Sequence, residues 1–227
     1  MLENFKISLK EIDKINSINE KEKSYRIKNL EFFNEKGFPT KKEEDWKFSD
    51  ISEIFSKNFK KIGVNHINPE ENKFRLIKDF DHNYILTING RLIRSDFKFE
   101  DKKKIKIMGY KDENFSKEKS NNPLICLNHA LSNDGYNLEV EKNYKFEKVL
   151  VIYNLFSEDL SDKILNNKNK IVVNENSELH TIEYTINRSK NKFFNNSYED
   201  ITLCENAKFK NICIQAGRSD GYFHKFL

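Results

Sequence analysis

Glycine and proline are scarce in this chain, 7 and 3 among 227 residues. That excludes a collagen-like or Pro/Gly-rich low-complexity chain, and it makes each remaining glycine a candidate for backbone that other residues avoid. Cysteine is as scarce as proline: Cys126, Cys204 and Cys213 make an odd count with no C-x-x-C spacing. A disulfide framework is thereby disfavoured, and a reducing cytoplasm is the expected location. No apolar run approaches the length of a membrane span. The N-terminus carries Glu3, Glu11 and Asp13 among its lysines and has no compact apolar region, so neither a secretory signal nor a transit peptide is expected. Neither sign of charge dominates, with 40 basic and 36 acidic residues for a net +4, which gives no ground for a nucleic-acid partner. Lys102-Lys103-Lys104 follows Glu100-Asp101 and reads as a solvated edge beside a strand. The phosphate-loop, G-x-G-x-x-G, G-x-S-x-G and H-E-x-x-H patterns are all absent.

What the chain does contain is one segment written twice. Ile171 and Val173 fall on Ile201 and Leu203, Glu175-Asn176 on Glu205-Asn206, Leu179 on Phe209, and Ile182 and Tyr184 on Ile212 and Ile214. Leu138 and Val140, followed by Glu141-Lys142-Asn143 and then Val149 and Val151, form a looser third copy. Repeats of roughly 20–50 residues mark units that bury their apolar faces by stacking on one another. Within each copy the apolar residues alternate, the period of a half-buried strand. Asn143, Asn176 and Asn206 suit a tight turn with left-handed backbone. Leu179 to Ile182 and Phe209 to Ile212 break the alternation, so a corner or bulge is expected there. With that corner, Ile212 and Ile214 face inward, and Glu183, Thr202 and Cys213 point outward. The fold class that follows is mainly β with an N-terminal helical region, its strands forming the opening coils of a parallel β-helix. Two packed sheets of a sandwich are the alternative.

The first 60 residues follow a different pattern. Asn19 to Lys36 carries Ile27, Leu30 and Phe33 at helical spacing and stops at Gly37, while Leu9, Ile12 and Ile15 form a shorter amphipathic stretch. Thr40 and Glu43 make a capping box, supported by Glu44 and Asp45, one turn before the single tryptophan, Trp46. Trp46 reads as an anchor fixing this region on the rest of the chain. Farther along, Asn89-Gly90 between Tyr84–Ile88 and Arg91–Ile93 is a hairpin signal, and Ile105 to Met108 can add a strand. Leu124 to Leu131 reads as a short helix with a structural His129. Hairpin and helix together are placed to cover the first coil. Three regions result: 1–60 helical, 61–135 hairpin and short helix, 136–227 coils.

The wording G-F-P-T-K-K-E-E-D-W-K-F-S-D, Gly37 to Asp50, closely resembles the signature near the N-terminus of SufD, a subunit of the SUF iron–sulfur cluster assembly system. The resemblance continues through Ile88-Asn89-Gly90-Arg91, through Leu127 to Gly135, and over the repeats. It corresponds to the N-terminal half of SufD-like proteins. It implies a right-handed parallel β-helix and a non-enzymatic scaffold role, with SufB-like and SufC-like subunits as partners of the full-length protein. It implies no nucleic acid and no membrane. The iron–sulfur cluster it implies belongs to the full complex, and no cofactor is assigned to this chain. Neither catalytic nor metal-binding residues carry over, since the family's cluster ligands lie beyond the matching part. The chain stops inside a strand at Gly221 to Leu227, as a fragment, a split product, or a form whose last coil another chain covers. On that reading neither SufC binding nor a stable cluster is expected of it alone.

Two rival readings remain at this point, a β-helix polysaccharide lyase or hydrolase and a carbohydrate-binding solenoid. The enzyme needs a row of carboxylates with Arg or Lys on one outer sheet, and none repeats here. A thiolate metal site would have to come from Cys204 or Cys213 with His180 or His224 on adjacent coils. Those spacings are looser than zinc or cluster sites use.

Overall fold

Parallel pairing dominates the two sheets of this protein. The computed structural model describes residues 6–15, 18–59, 75–110, 120–158, 160–161, 163–217 and 221–227. Glu3 and the expected boundary between residues 60 and 61 lie outside them. The strands are β1 (Asn83–Ile88), β2 (Arg91–Asp96), β3 (Ile105–Gly109), β4 (Tyr136–Val140), β5 (Leu150–Phe156), β6 (Lys163–Val173), β7 (Glu178–Asn187), β8 (Phe193–Leu203), β9 (Lys208–Gly217) and β10 (Gly221–Phe226). One sheet runs β2-β1-β5-β7-β9 and the other β10-β8-β6-β4-β3. From β4 onward the chain alternates between sheets, and from β6 onward each strand lies parallel to the one two places earlier. Only the edge pairs β1–β2 and β3–β4 are antiparallel. The protein is therefore mainly β, with two mixed sheets.

The sequence repeat is the pairing register. Ile171 pairs with Ile201, Val173 with Leu203, Leu179 with Phe209, Ile182 with Ile212 and Tyr184 with Ile214. Like residues stack on like because each coil offers the same position to the next. The three turn asparagines are all left-handed, with φ of 57°, 57° and 55° at Asn143, Asn176 and Asn206. Their amides also form a ladder: Asn176 Nδ2 donates to Asn143 Oδ1 at 3.1 Å, and Asn206 Nδ2 to Asn176 Oδ1 at 3.2 Å. Asn176→Ala should lower stability by about 1–2 kcal/mol, since alanine bears the left-handed penalty and both ladder bonds are lost. Asn176→Gly should recover the backbone part. Urea midpoints of the two variants measure the split, and equal losses would show that the backbone conformation contributes little.

The expected corner does not form. β7 pairs with β9 without a register shift from Glu178↔Lys208 to Asn187↔Gly217. On an uninterrupted strand a spacing of three places Leu179 and Ile182 on opposite faces. Leu179 joins the core between the sheets, with Leu138, Val140, Leu150, Ile152, Ile171 and Val173. Ile182, Tyr184 and Ile186 join Leu86, Val151 and Tyr153 on the outer face of the β1 sheet. Ile212 and Ile214 continue that outer stripe, 49% and 45% exposed. Glu183 and Cys213 consequently face inward, which corrects the outward placement; Thr202 is exposed as expected.

Helices cover the outer face of the other sheet. They are α1 (Glu20–Lys36), α2 (Ile51–Asn58) and α3 (Pro123–Leu131). Asn19 caps α1, its Oδ1 accepting from Glu22 N at 2.9 Å, and Gly37 ends it at φ 75°. Leu30 and Phe33 of α1, Phe55 of α2 and Leu124 and Leu127 of α3 share one core with Ile164 and Phe194 of the sheet. Burial of such side chains stabilises by about 1.5–3 kcal/mol each. Arg26 is buried, pairs with Glu22, and donates to the carbonyls of Ala130 (3.1 Å) and Ser132 (2.8 Å). It thereby satisfies orphan acceptors at the end of α3.

Several local expectations differ from the structure. Leu9–Lys14 is a 3-10 helix; Ile12 and Ile15 are buried as the pattern implies, whereas Leu9 is exposed. Only half of the capping box forms: Glu43 Oε1 accepts from Thr40 N at 3.0 Å, whereas Thr40 Oγ1 accepts from Lys42 N at 3.4 Å. The segment makes a 3-10 turn, Glu44–Trp46, and the α-helix starts later behind Asp50, whose Oδ1 accepts from Glu53 N. The hairpin does turn at Asn89-Gly90, with φ of 53° and 88°. Its first strand is itself the first parallel strand, pairing with β5. β2 and β3 supply the antiparallel edges, and α3 lies on the flank against α1, β6 and β8 rather than across the first coil. In the β2–β3 connection, Glu100 accepts from Asn83 Nδ2 and Tyr144 Oη, each at 2.7 Å, which ties that connection to the stack.

Candidate functional site

Between the two sheets the apolar core gives way to a polar belt. On the β1 sheet the inward rows are Ile152–Glu183–Cys213 and Thr87–Asn154–Thr185. On the facing sheet they are Tyr136, Asn169 and Glu199, then Asn167, Ser197 and Lys225. Phe156, Leu165, Phe193 and Phe223 close the space at the far side. The belt lines a cavity of about 330 Å³ that is partly open to solvent, bounded among others by Asn154, Asn169, Glu183, Glu199, Cys213 and Lys225.

Lys225 bridges the sheets. Its Nζ contacts Glu183 of β7 and lies 3.0 Å from Glu199 of β8. Glu183 also accepts from Asn154 Nδ2 at 2.9 Å and from Cys213 Sγ at 3.4 Å. Burial opposes the charge on Lys225, yet the two carboxylates outweigh it and hold its pKa above the ordinary lysine value. Burial and then the Glu183 charge raise the pKa of Glu199. Burial and Glu183 likewise raise that of Cys213, so this thiol is a poor nucleophile at neutral pH.

The residues considered for a thiolate site do not meet. Cys213 lies between the sheets, His180 stands on the outer face of the β1 sheet beside Glu178 (2.9 Å), and His224 is on the outer face of the other. Cys204 sits at its turn, Sγ 3.8 Å from Asn174 Oδ1. Among the described residues no three His, Cys, Asp or Glu are grouped to hold a metal ion. Sequence reading missed Glu199 and Lys225, and it misplaced Glu183. An unbroken parity count along β7 to β10 would have aligned all three toward one interior.

Trp46 anchors as expected. It packs against the core shared by helices and sheet, its ring centroid 5.3 Å from that of His224 on β10. His129 is buried with its ring 4.9 Å from Tyr198. No helix among the described residues is long and apolar enough to cross a membrane.

Residues 5–112 match the family model of the SufBD protein N-terminal region. The match takes in the Trp46 segment, α1, α2, the hairpin and β3. This part of the chain is thus similar to the N-terminal region of SufB/SufD family proteins. No curated protein matches the chain. Apart from Thr87 of β1, the polar belt lies outside the SufBD match, on strands β4 to β10.

Acid should loosen the contact between this SufBD-like region and the stack. Burial lowers His224 to about 4, and burial, with Lys168 and Arg26 next, lowers His129 to about 3. Both histidines are expected to stay neutral in the folded state while the unfolded chain protonates near the ordinary value of 6.5. Their contribution is complete above that value and is lost as the pH falls toward 4. The urea midpoint, read by Trp46 fluorescence, should therefore decline over that window, and His224→Gln should flatten the decline. An unchanged slope in the variant would sink the assignment.

Proposed function

We propose that this chain is a SufD-like, non-enzymatic scaffold subunit of cytoplasmic iron–sulfur cluster assembly, working with a SufB-like subunit and the SufC ATPase. The observation that carries this reading is the SufBD match over residues 5–112, which contains the Gly37–Asp50 segment. The alternating parallel strands support it, and we take them as the opening coils of a right-handed parallel β-helix. Such a subunit acts by its surface: it pairs with SufB, and the complex couples ATP hydrolysis to cluster building. The cluster is cargo of the complex, and no ligand for it is assigned here.

Co-expression with SufB-like and SufC-like proteins of the same cell tests the reading. The product of the whole reading frame should be retained with both on a tagged SufB. Failure to co-purify with either would overturn the scaffold role, and turnover of a polyuronide would favour a β-helix lyase instead.

A further inference from the structure

The belt between the sheets holds two carboxylates and one ammonium. Glu183 and Glu199 are 8% and 4% exposed, and Lys225 is the single cation among the described residues that line the cavity. A surplus negative charge on carboxylates so buried is costly unless something positive joins it. Tyr136 supplies an independent sign. It is fully buried on the inner face of β4, beside Asn169, and its hydroxyl has no hydrogen-bond partner. The strand register sets Tyr136 in the same inward row as Asn169, which lines the cavity, and Glu199, and after burial the charges of Glu199 and Glu183 raise its pKa. A phenol oxygen, a carboxylate and the amide and hydroxyl oxygens of Asn169, Asn195 and Ser197 are hard donors, suited to hard cations. The cavity has room for an ion with several waters. One residual charge among neutral oxygens matches a monovalent ion.

We propose that the inter-sheet cavity binds a small monovalent cation of the sodium or potassium class, held by Glu199 and the Tyr136 oxygen beside the Lys225 bridge. The site is independent of the family reading, and it draws β4, β7, β8 and β10 onto one point between the sheets.

Thermal melts at mildly alkaline pH, in sodium, potassium or tetramethylammonium chloride at equal ionic strength, test it. Sodium or potassium should raise Tm by about 3–5 °C in a saturable way relative to tetramethylammonium, which is too bulky to enter. Glu199→Gln should abolish the difference and Tyr136→Phe should weaken it. Line broadening of the sodium NMR signal by the wild-type protein, reversed by potassium, reads the same site without relying on variant stability. Equal Tm in the three salts, or an undiminished response in Glu199→Gln, overturns the proposal. The first result would leave a proton on Glu199 as the balancing charge.

Discussion

Gly135→Ala should destabilise the protein by about 4 kcal/mol or prevent it from folding. Gly135 holds φ at 141°, a conformation L side chains rarely adopt, and a Cβ there would sit on the carbonyl oxygen of Lys168. That neighbour is backbone and cannot swing away. The site also joins three segments: Tyr110 N donates to Gly135 O at 3.0 Å, and Lys168 N to Asp134 O at 2.9 Å. Gly90→Ala and Gly37→Ala provide the scale. A Cβ at Gly90 lies 2.8 Å from the Cβ of Asn167, a side-chain contact rather than a backbone one, and one at Gly37 meets nothing within 4 Å. Their positive φ values alone imply losses of about 1–2 kcal/mol. Urea unfolding of the three variants should rank Gly135 well above the others. A Gly135→Ala midpoint within that of Gly37→Ala would show that the β4–β6 contact yields easily.

The glycines illustrate what was legible in the sequence and what was not. Asn89-Gly90 announces a hairpin because positive φ at both positions is a local demand. Gly135 announces nothing, since its constraint comes from Lys168, thirty-three positions away. The repeat was readable for a related reason. Ile171 and Ile201, or Leu179 and Phe209, occupy matching places in successive coils, so the alignment of the sequence with itself was already the register. Helix α1 was readable from Asn19 and Gly37, which act within one turn. Thr40 and Glu43 misled because their box closes a single 3-10 turn, and the competing cap at Asp50 wins where the apolar Ile51 and Phe55 can be buried.

The candidate site was the least legible part. Ile182 and Tyr184 suggested an inward stripe, because an apolar residue on a strand is ordinarily assigned to the core. β7 has apolar cover on both faces, however: Leu179 meets the opposite sheet, while Ile182 packs with Val151 and Tyr153 outside. Periodicity alone cannot choose between two apolar faces. Glu183 was therefore placed outward, and Glu199 and Lys225 went unnoticed. The structure places those three charges together because β7 of one sheet faces the adjacent strands β8 and β10 of the other.

Lys225→Met follows from that convergence and should cost about 2–3 kcal/mol, a Tm loss of roughly 5–10 °C. Removing one partner of a buried pair leaves the other charge uncompensated, for which about 3–5 kcal/mol is usual. The lysine side chain is 26% exposed, so solvent screening reduces the expectation. Glu199 bears most of the loss: without the ammonium it retains, among the described residues, a 3.4 Å bond from Asn169, whereas Glu183 keeps Asn154 at 2.9 Å. Lys225→Met combined with Glu199→Gln should accordingly recover more than half of the deficit, and Lys225→Met with Glu183→Gln should recover less. The raised pKa of Glu199 adds a pH signature. The folded state favours a protonated Glu199, so its contribution is present at acidic pH and declines as the pH rises through its folded value. The deficit of Lys225→Met should therefore widen toward alkaline pH, and Glu199→Gln should remove the widening. A double variant no more stable than Lys225→Met, with a deficit constant across pH, would mean that Lys225 acts by packing its methylenes and not by its charge.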